Sequence, residues 1–191
     1  MEGPKIILLV SGKRKSGKDY ICERVKSLIG EDKCSIIRIS APLKRLYAQQ
    51  HNLDLKELMS DTPYKEKYRL DMINWSDEVR KENPGYFCKA ACDEALTKPV
   101  WIISDVRRKT DISWFRETYA DKIKTVRISA EDGVRRSRGW QYTEGVDDVA
   151  SECNLDDFID WDIQIINDNE VEGKNAVERV VSYIELFLHG V

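Results

Sequence analysis

The sequence predicts an α/β protein built on a parallel five-stranded sheet flanked by helices. Three observations carry that reading. Short apolar or β-branched runs alternate with longer amphipathic stretches through all 191 residues. A basic, glycine-bearing turn, Gly12-Lys13-Arg14-Lys15-Ser16-Gly17-Lys18, lies between the first such run and the first amphipathic stretch. A third apolar run closes on Ser104-Asp105, placing an acid at the carboxyl end of a buried strand, where open parallel sheets bind their ligands.

The elements follow in order. Ile6–Val10 is a continuous apolar run, as expected of a strand covered on both faces. Residues 17–29 carry apolar side chains at 21, 25, 28 and 29, a helical spacing. Cys34–Ile39 is a β-branched strand; Ser40-Ala41-Pro42 breaks it, and a helix starts at Leu43 and runs to His51. Leu55–Met59 is a helical turn, and Tyr64–Glu82 a long charged helix with Tyr68, Met72 and Ile73 on its apolar side. Pro84-Gly85 restarts the chain, and a helix runs to about Leu96. Val100–Asp105 is the third strand and Ile112–Tyr119 a helix. Ile123–Ile128 is a strand, Ala130–Arg138 a basic helix, and 139–157 an irregular acidic loop. Trp161–Ile166 and Val171–Leu188 are the last strand and helix. No repeat or linker interrupts the chain, so 1–191 reads as a single domain.

Composition narrows the function. Hydrophobic residues make up 41% and charged residues 34%, with a formal net charge of −3, which excludes a generic nucleic-acid binder. Positive charge is gathered locally instead, at 13–18, 107–109 and 135–138, as a small polyanion would require. Five cysteines without framework spacing read as reduced thiols. No apolar run is long enough for a membrane span. No secretory signal leads the chain, and His189-Gly190-Val191 is not a peroxisomal tripeptide, so the expected location is the cytosol.

The turn after the first strand is where the chemistry begins. Gly12 and Gly17 let backbone N–H groups curl around phosphate oxygens, the following helix adds partial positive charge, and Lys18 reaches the β- and γ-phosphates. Gly12 to Asp19 is therefore the expected ATP site. Asp19 stands where this motif normally has Ser or Thr; a carboxylate is also a hard oxygen ligand for Mg²⁺, and Asp105 fits a second such ligand. Arg107 and Arg108 follow Asp105; they could be surface residues starting a helix, but beside a nucleotide site adjacent arginines suit a phosphate far better, by bidentate bonding. The stretch Val134–Trp140, with Arg135, Arg136 and Arg138, reads as part of a mobile lid over about 131–150. Asp147, Asp148 and Glu152 are either a metal cage or solubilising charges on that lid, and the second reading is preferred. No guanine-specifying Asn-Lys-x-Asp is present. The pattern is that of a small ATP-dependent kinase with the three-layer nucleoside-monophosphate-kinase architecture; by itself it leaves the acceptor open.

The segment Ser11 to Asp19 closely resembles the P-loop of animal-type phosphomevalonate kinases, including the unusual Asp. The likeness continues through Pro42-Leu43-Lys44, Tyr64-Lys65-Glu66 with Arg69, Asp71-Met72-Ile73 and Pro84-Gly85-Tyr86-Phe87-Cys88. It covers Ser104-Asp105-Val106-Arg107-Arg108, Trp114-Phe115-Arg116-Glu117, Arg138-Gly139-Trp140, Gly145-Val146-Asp147-Asp148 and Ser151-Glu152-Cys153, and reaches the strand before Asn167. The resemblance implies transfer of the ATP γ-phosphate to the phosphate of (R)-5-phosphomevalonate in isoprenoid and sterol synthesis, by a Mg²⁺-dependent, mostly monomeric enzyme. It implies that Lys13 to Asp19 and Arg138 bind ATP, with Lys18 on the transferring phosphate. It implies that Lys44, Lys65, Arg69, Arg80, Arg107, Arg108 and Asn167 contact the acceptor, and that Lys13, Lys18, Arg107, Arg108 and Arg138 serve catalysis. Lys89 stands where arginine also occurs in the family, and Asp168 near a position that can be histidine. A phosphate acceptor brings about −6 to −7 of charge into one cleft with ATP. It needs no general base, which matches many cations and no catalytic-looking histidine. Two rivals remain: a nucleoside or deoxynucleoside monophosphate kinase, and a nucleotide-binding regulator with no acceptor.

Overall fold

A computed structural model describes residues 3–60 and 62–189; the Gly190-Val191 ending and Asp61 lie outside them. The five strands are β1 (Ile6–Ser11), β2 (Cys34–Ile37), β3 (Val100–Ile103), β4 (Ile123–Ser129) and β5 (Ile163–Ile166). They form one sheet in the order β2-β3-β1-β4-β5, and every pairing is parallel. Nine α-helices and a 3₁₀ turn (Ala120–Lys122) complete the described chain, the helices being α1 (Lys18–Ile29), α2 (Ser40–His51), α3 (Leu55–Met59), α4 (Pro63–Glu82), α5 (Tyr86–Asp93), α6 (Lys109–Tyr119), α7 (Asp132–Ser137), α8 (Ala150–Cys153) and α9 (Glu170–His189).

The apolar run of β1 becomes the centre of the sheet. All six of its residues are buried, and strand alternation splits them between two cores. Ile6, Leu8 and Val10 meet Ile21 and Val25 of α1 and Val177, Val180 and Ile184 of α9. Ile7 and Leu9 face the other way, onto Phe87 of α5 and Ile112 and Phe115 of α6. Each fully buried side chain of this size contributes about 1.5–3 kcal/mol of transfer free energy. At the edge, β5 buries Ile163 and Ile165 but leaves Gln164 and Ile166 exposed, as expected of a strand with helix on one face only. From β1 the sheet continues to β3 on one side and β4 on the other, so a crevice opens at the carboxyl end of β1.

Element boundaries move where caps decide them. Helix α2 begins at Ser40 rather than after Pro42, because proline in a first turn removes only an N–H that has no helical partner. Asp105 completes that start: its two carboxylate oxygens accept from the N–H of Ile39 at 2.7 Å and of Ser40 at 2.9 Å. Helix α6 starts at Lys109, three residues early, because Asp111 accepts from the N–H groups of Arg107 and Arg108 at 3.2 and 3.1 Å. Helix α5 stops at Asp93; Leu96, expected within it, is largely exposed and offers nothing to bury. The acidic loop contains the short helix α8. All five cysteines are free thiols, and burial pushes Cys22 and Cys34 up to about 12.

Gly85, at the start of α5, sits where a Cβ would lie 2.0 Å from Cδ1 of the Trp114 indole on α6. Gly85→Ala is expected to force that ring aside and to destabilise the fold by about 1–3 kcal/mol. The measurement is a urea midpoint, with the slope unchanged if the folded state stays compact.

Candidate active site

The loop Gly12–Gly17 leaves the end of β1 and turns sharply. Lys15 has φ 61° and Gly17 has φ 87°, both left-handed. A side chain at Gly17 would also collide with Asn167, whose Nδ2 lies 2.1 Å from the position of an added Cβ. A turn of this kind points N–H groups inward and carbonyls outward. The outward carbonyls are met by donors from elsewhere in the chain. Asn167 Nδ2 donates to the Ser16 carbonyl at 2.9 Å, Arg138 Nη1 donates to the same oxygen at 3.3 Å, and Arg138 Nη2 donates to the Asn167 carbonyl at 2.7 Å. Arg135 Nε donates to the Arg14 carbonyl at 2.9 Å, and its guanidinium stacks 3.8 Å over Trp140. Lys18 and Asp19 open α1, with Lys18 Nζ 3.6 Å from the Asp19 carboxylate. Lys15 is exposed at the turn, and Lys13 Nζ pairs with Asp156 at 2.7 Å.

Beside this loop lies a cleft of about 480 Å³. Lys18, Arg38, Lys44, Lys65, Arg69, Arg80, Arg107 and Arg108 line it against Asp19, Asp105, Asp111 and Glu152, eight cations to four carboxylates. Several cations are held by an acid behind them. Arg108 pairs with Asp77, Arg107 with Glu152, and Arg80 lies 3.6 Å from Asp111 while stacking over Phe87. Arg69 Nε donates to Glu66 at 2.7 Å, which holds that carboxyl below its ordinary pKa. Desolvation lowers the pKa of both the Arg107 and Arg108 guanidinium groups, opposed first by Asp105 and by Asp77 respectively. Arg80 Nε is buried with no hydrogen-bond partner among the described residues, a donor suited to an anion's oxygen. Ile39, Leu43, Met59, Met72, Ile73 and Val146 add apolar side chains to the same lining. A second cleft of about 350 Å³, under residues 140–147, is lined by Lys13, Ser16, Arg127, Arg135 and Trp140.

The fold thus brings together Lys18, Asp19, Lys44, Lys65, Arg69, Arg80, Asp105, Arg107 and Arg108 in one cleft. It does not place Asn167 there, while Arg138, expected at the ATP phosphates, lies against the P-loop. Both brace the P-loop from behind, through Ser16, because a loop whose amides face a ligand leaves carbonyls needing donors. Lys89 is exposed and paired with Asp93 at 2.5 Å, outside the cleft lining, so its departure from arginine does not touch the site. Asp168 accepts from the Glu131 N–H at 2.7 Å. Asp147 and Glu152 are not solubilising charges: their side chains are only 6% and 5% exposed. Among the described residues, no group of three or more His, Cys, Asp or Glu is placed to cage a metal. Arg38 and Asp111 belong to the site without having been singled out. Arg38 could have been found from its position at the carboxyl end of the second strand; Asp111 had no sequence signal.

Three comparisons bear on this arrangement. The crystal structure of TT1252 from Thermus thermophilus shares the fold, with a TM-score of 0.53 and 15% identity over 96% of this chain and 97% of that one. A phosphomevalonate kinase of Drosophila melanogaster is 49% identical over 185 residues, spanning 94% of this chain and 97% of its own. Residues 10–121, from the end of β1 through the P-loop, the cation-bearing α4 and the Asp105–Arg108 strand end, match the family model described as phosphomevalonate kinase. With the P-loop, the cationic cleft and near-complete coverage all in agreement, this chain belongs to the phosphomevalonate kinase family.

Proposed function

We propose that this protein transfers the γ-phosphate of ATP to the phosphate of (R)-5-phosphomevalonate, giving 5-diphosphomevalonate and ADP. The observation that carries the reading is the excess of cations around one cleft beside a P-loop, with apolar side chains in the same lining. Two phosphate-bearing anions repel each other, and transfer between them needs alignment and charge neutralisation more than proton removal. Gly12 to Asp19 take the ATP phosphates, with Lys13 and Lys18 on the transferring group. Lys44, Lys65, Arg69, Arg80, Arg107 and Arg108 hold the acceptor. Arg138 and Asn167 contribute by keeping the P-loop in shape.

The donor set fits Mg²⁺. Asp19 offers an exposed hard-oxygen carboxylate at the start of α1. Asp105, with both oxygens engaged by backbone N–H groups, would hold it through water. Bound there, Mg²⁺ neutralises charge on the phosphates. In this reading the chain acts as one domain and as a monomer, and 131–150 closes as a lid. We place the protein in the cytosol, as the family resemblance implies. No helix among the described residues is long and apolar enough to cross a membrane.

A nucleoside monophosphate acceptor is disfavoured by the same cleft. Its described lining has no aromatic ring to stack on a base and no Asn or Gln to read one. A regulator without an acceptor is disfavoured by the cations facing the P-loop, which such a protein has no use for.

Turnover of phosphomevalonate with ATP, followed by coupled ADP release, is the expected result from a panel of phosphorylated acceptors; turnover confined to nucleoside monophosphates would reverse the assignment. Lys18→Met is expected to abolish turnover while circular dichroism stays that of the parent. Arg107→Ala and Arg108→Ala should each weaken acceptor use by ~1.5–3 kcal/mol, the worth of a charge-assisted hydrogen bond. Steady-state kinetics check this, the KM for phosphomevalonate rising well ahead of that for ATP.

A further inference from the structure

The lid-side stretch between Asp147 and Glu152 carries two buried carboxylates, one paired with an arginine of the P-loop and the other with an arginine at the end of β3. Asp147 accepts from Arg14 Nη1 at 3.0 Å, from the Thr143 N–H at 2.8 Å and from Trp140 Nε1 at 3.1 Å. Glu152 accepts from Arg107 Nη1, which also donates to the Ser151 carbonyl at 3.2 Å. Glu152 lines both clefts and stands at the divide between them. Arg14 belongs to the P-loop and Arg107 to the end of β3. Among the described residues both side-chain bonds of Arg107 fall on Nη1, which leaves Nη2 and Nε for a ligand. An arginine side chain has many rotamers, and ordering it on binding weakens affinity. A buried acid that holds it beforehand removes that cost.

We propose that Asp147 and Glu152 are positioning residues of the phosphoryl transfer: one short segment sets Arg14 toward the nucleotide and Arg107 toward the acceptor phosphate. The inference rests on the functional reading above. Neither acid touches a reacting atom; each acts through its arginine. Through the short stretch from Asp147 to Glu152 the two cations are tied to one another, so the two phosphates they serve meet at a defined separation. Ion pairs that only stabilised the fold would not sort by ligand.

The experiment first measures phosphomevalonate turnover by the parent enzyme, which tests the functional reading alone. Dissociation constants for ADP with Mg²⁺ and for phosphomevalonate are then measured separately by calorimetry. The variants are Glu152→Ala, Glu152→Gln, Asp147→Ala and Asp147→Asn, with Arg107→Ala, Arg14→Ala and the matching double variants. Glu152→Ala is expected to weaken phosphomevalonate by about tenfold or more and ADP by less than about twofold; Asp147→Ala should do the reverse. The amide variants, which keep an acceptor oxygen in place, should recover to within about threefold. Glu152→Ala should add almost nothing to Arg107→Ala, nor Asp147→Ala to Arg14→Ala. If an alanine variant does not fold, Glu152→Asp, one methylene shorter, is expected to show the same acceptor-selective loss. Equal losses for both ligands, no loss in a folded variant, or additivity with the arginine changes would each overturn the proposal in an enzyme that still turns over phosphomevalonate.

Discussion

The site depends on how the backbone of Gly12–Gly17 is held. A loop that aims its amides at phosphates must leave carbonyls facing the protein, and a buried carbonyl without a donor costs roughly 1–3 kcal/mol. Here the donors come from far along the chain. Asn167, just beyond β5, and Arg138, just beyond α7, converge on the Ser16 carbonyl, and Arg135 reaches the Arg14 carbonyl. The left-handed turn at Lys15 and Gly17 is therefore not a property of the loop alone. It stands because two distant segments, brought in by β4 and β5, complete its hydrogen bonding.

Electrostatics raise a second constraint. So many cations around one cleft repel one another, and burial of an unpaired charge is costly. The chain answers by backing several of them with a carboxylate: Asp77 behind Arg108, Asp111 near Arg80, Glu66 at Arg69 and Glu152 at Arg107. These acids keep each cation oriented while leaving a net positive surplus in the cleft. Asp111 serves twice, since it also caps the start of α6 through the Arg107 and Arg108 amides. The same carboxylate thus fixes the backbone that carries the two arginines and lies beside a third.

Much of the molecule was legible before any coordinates. The run Ile6–Val10 could only be a strand covered on both faces, because every position is apolar and the two sides of a strand cannot otherwise both avoid water. Gly17 was legible because only glycine fits a left-handed position with no room for a Cβ. Lys65 and Arg69 stand four positions apart in the sequence, which puts them on one face of a helix, and both line the cleft. The lid acids were misread for a definite reason: a charged residue in a polar loop looks solvated until its partner is known, and Arg14 and Arg107 lie 133 and 45 residues from Asp147 and Glu152.

By itself the sequence determined the local matters: which runs become strands and helices, the phosphate-cradling turn after β1, and the family resemblance that names the acceptor. These depend on neighbours within a few positions, or on a pattern of residue types along the chain. Only the tertiary structure decided the strand order, which puts β3 and β4 on opposite sides of β1. It also decided the bonds from Asn167 and Arg138 to the Ser16 carbonyl of the P-loop, and the burial of Asp147 and Glu152 against their arginines. Each of those depends on contacts between segments far apart in the chain, and a hydrogen bond of about 3 Å carries no trace in the spacing of the residues that make it.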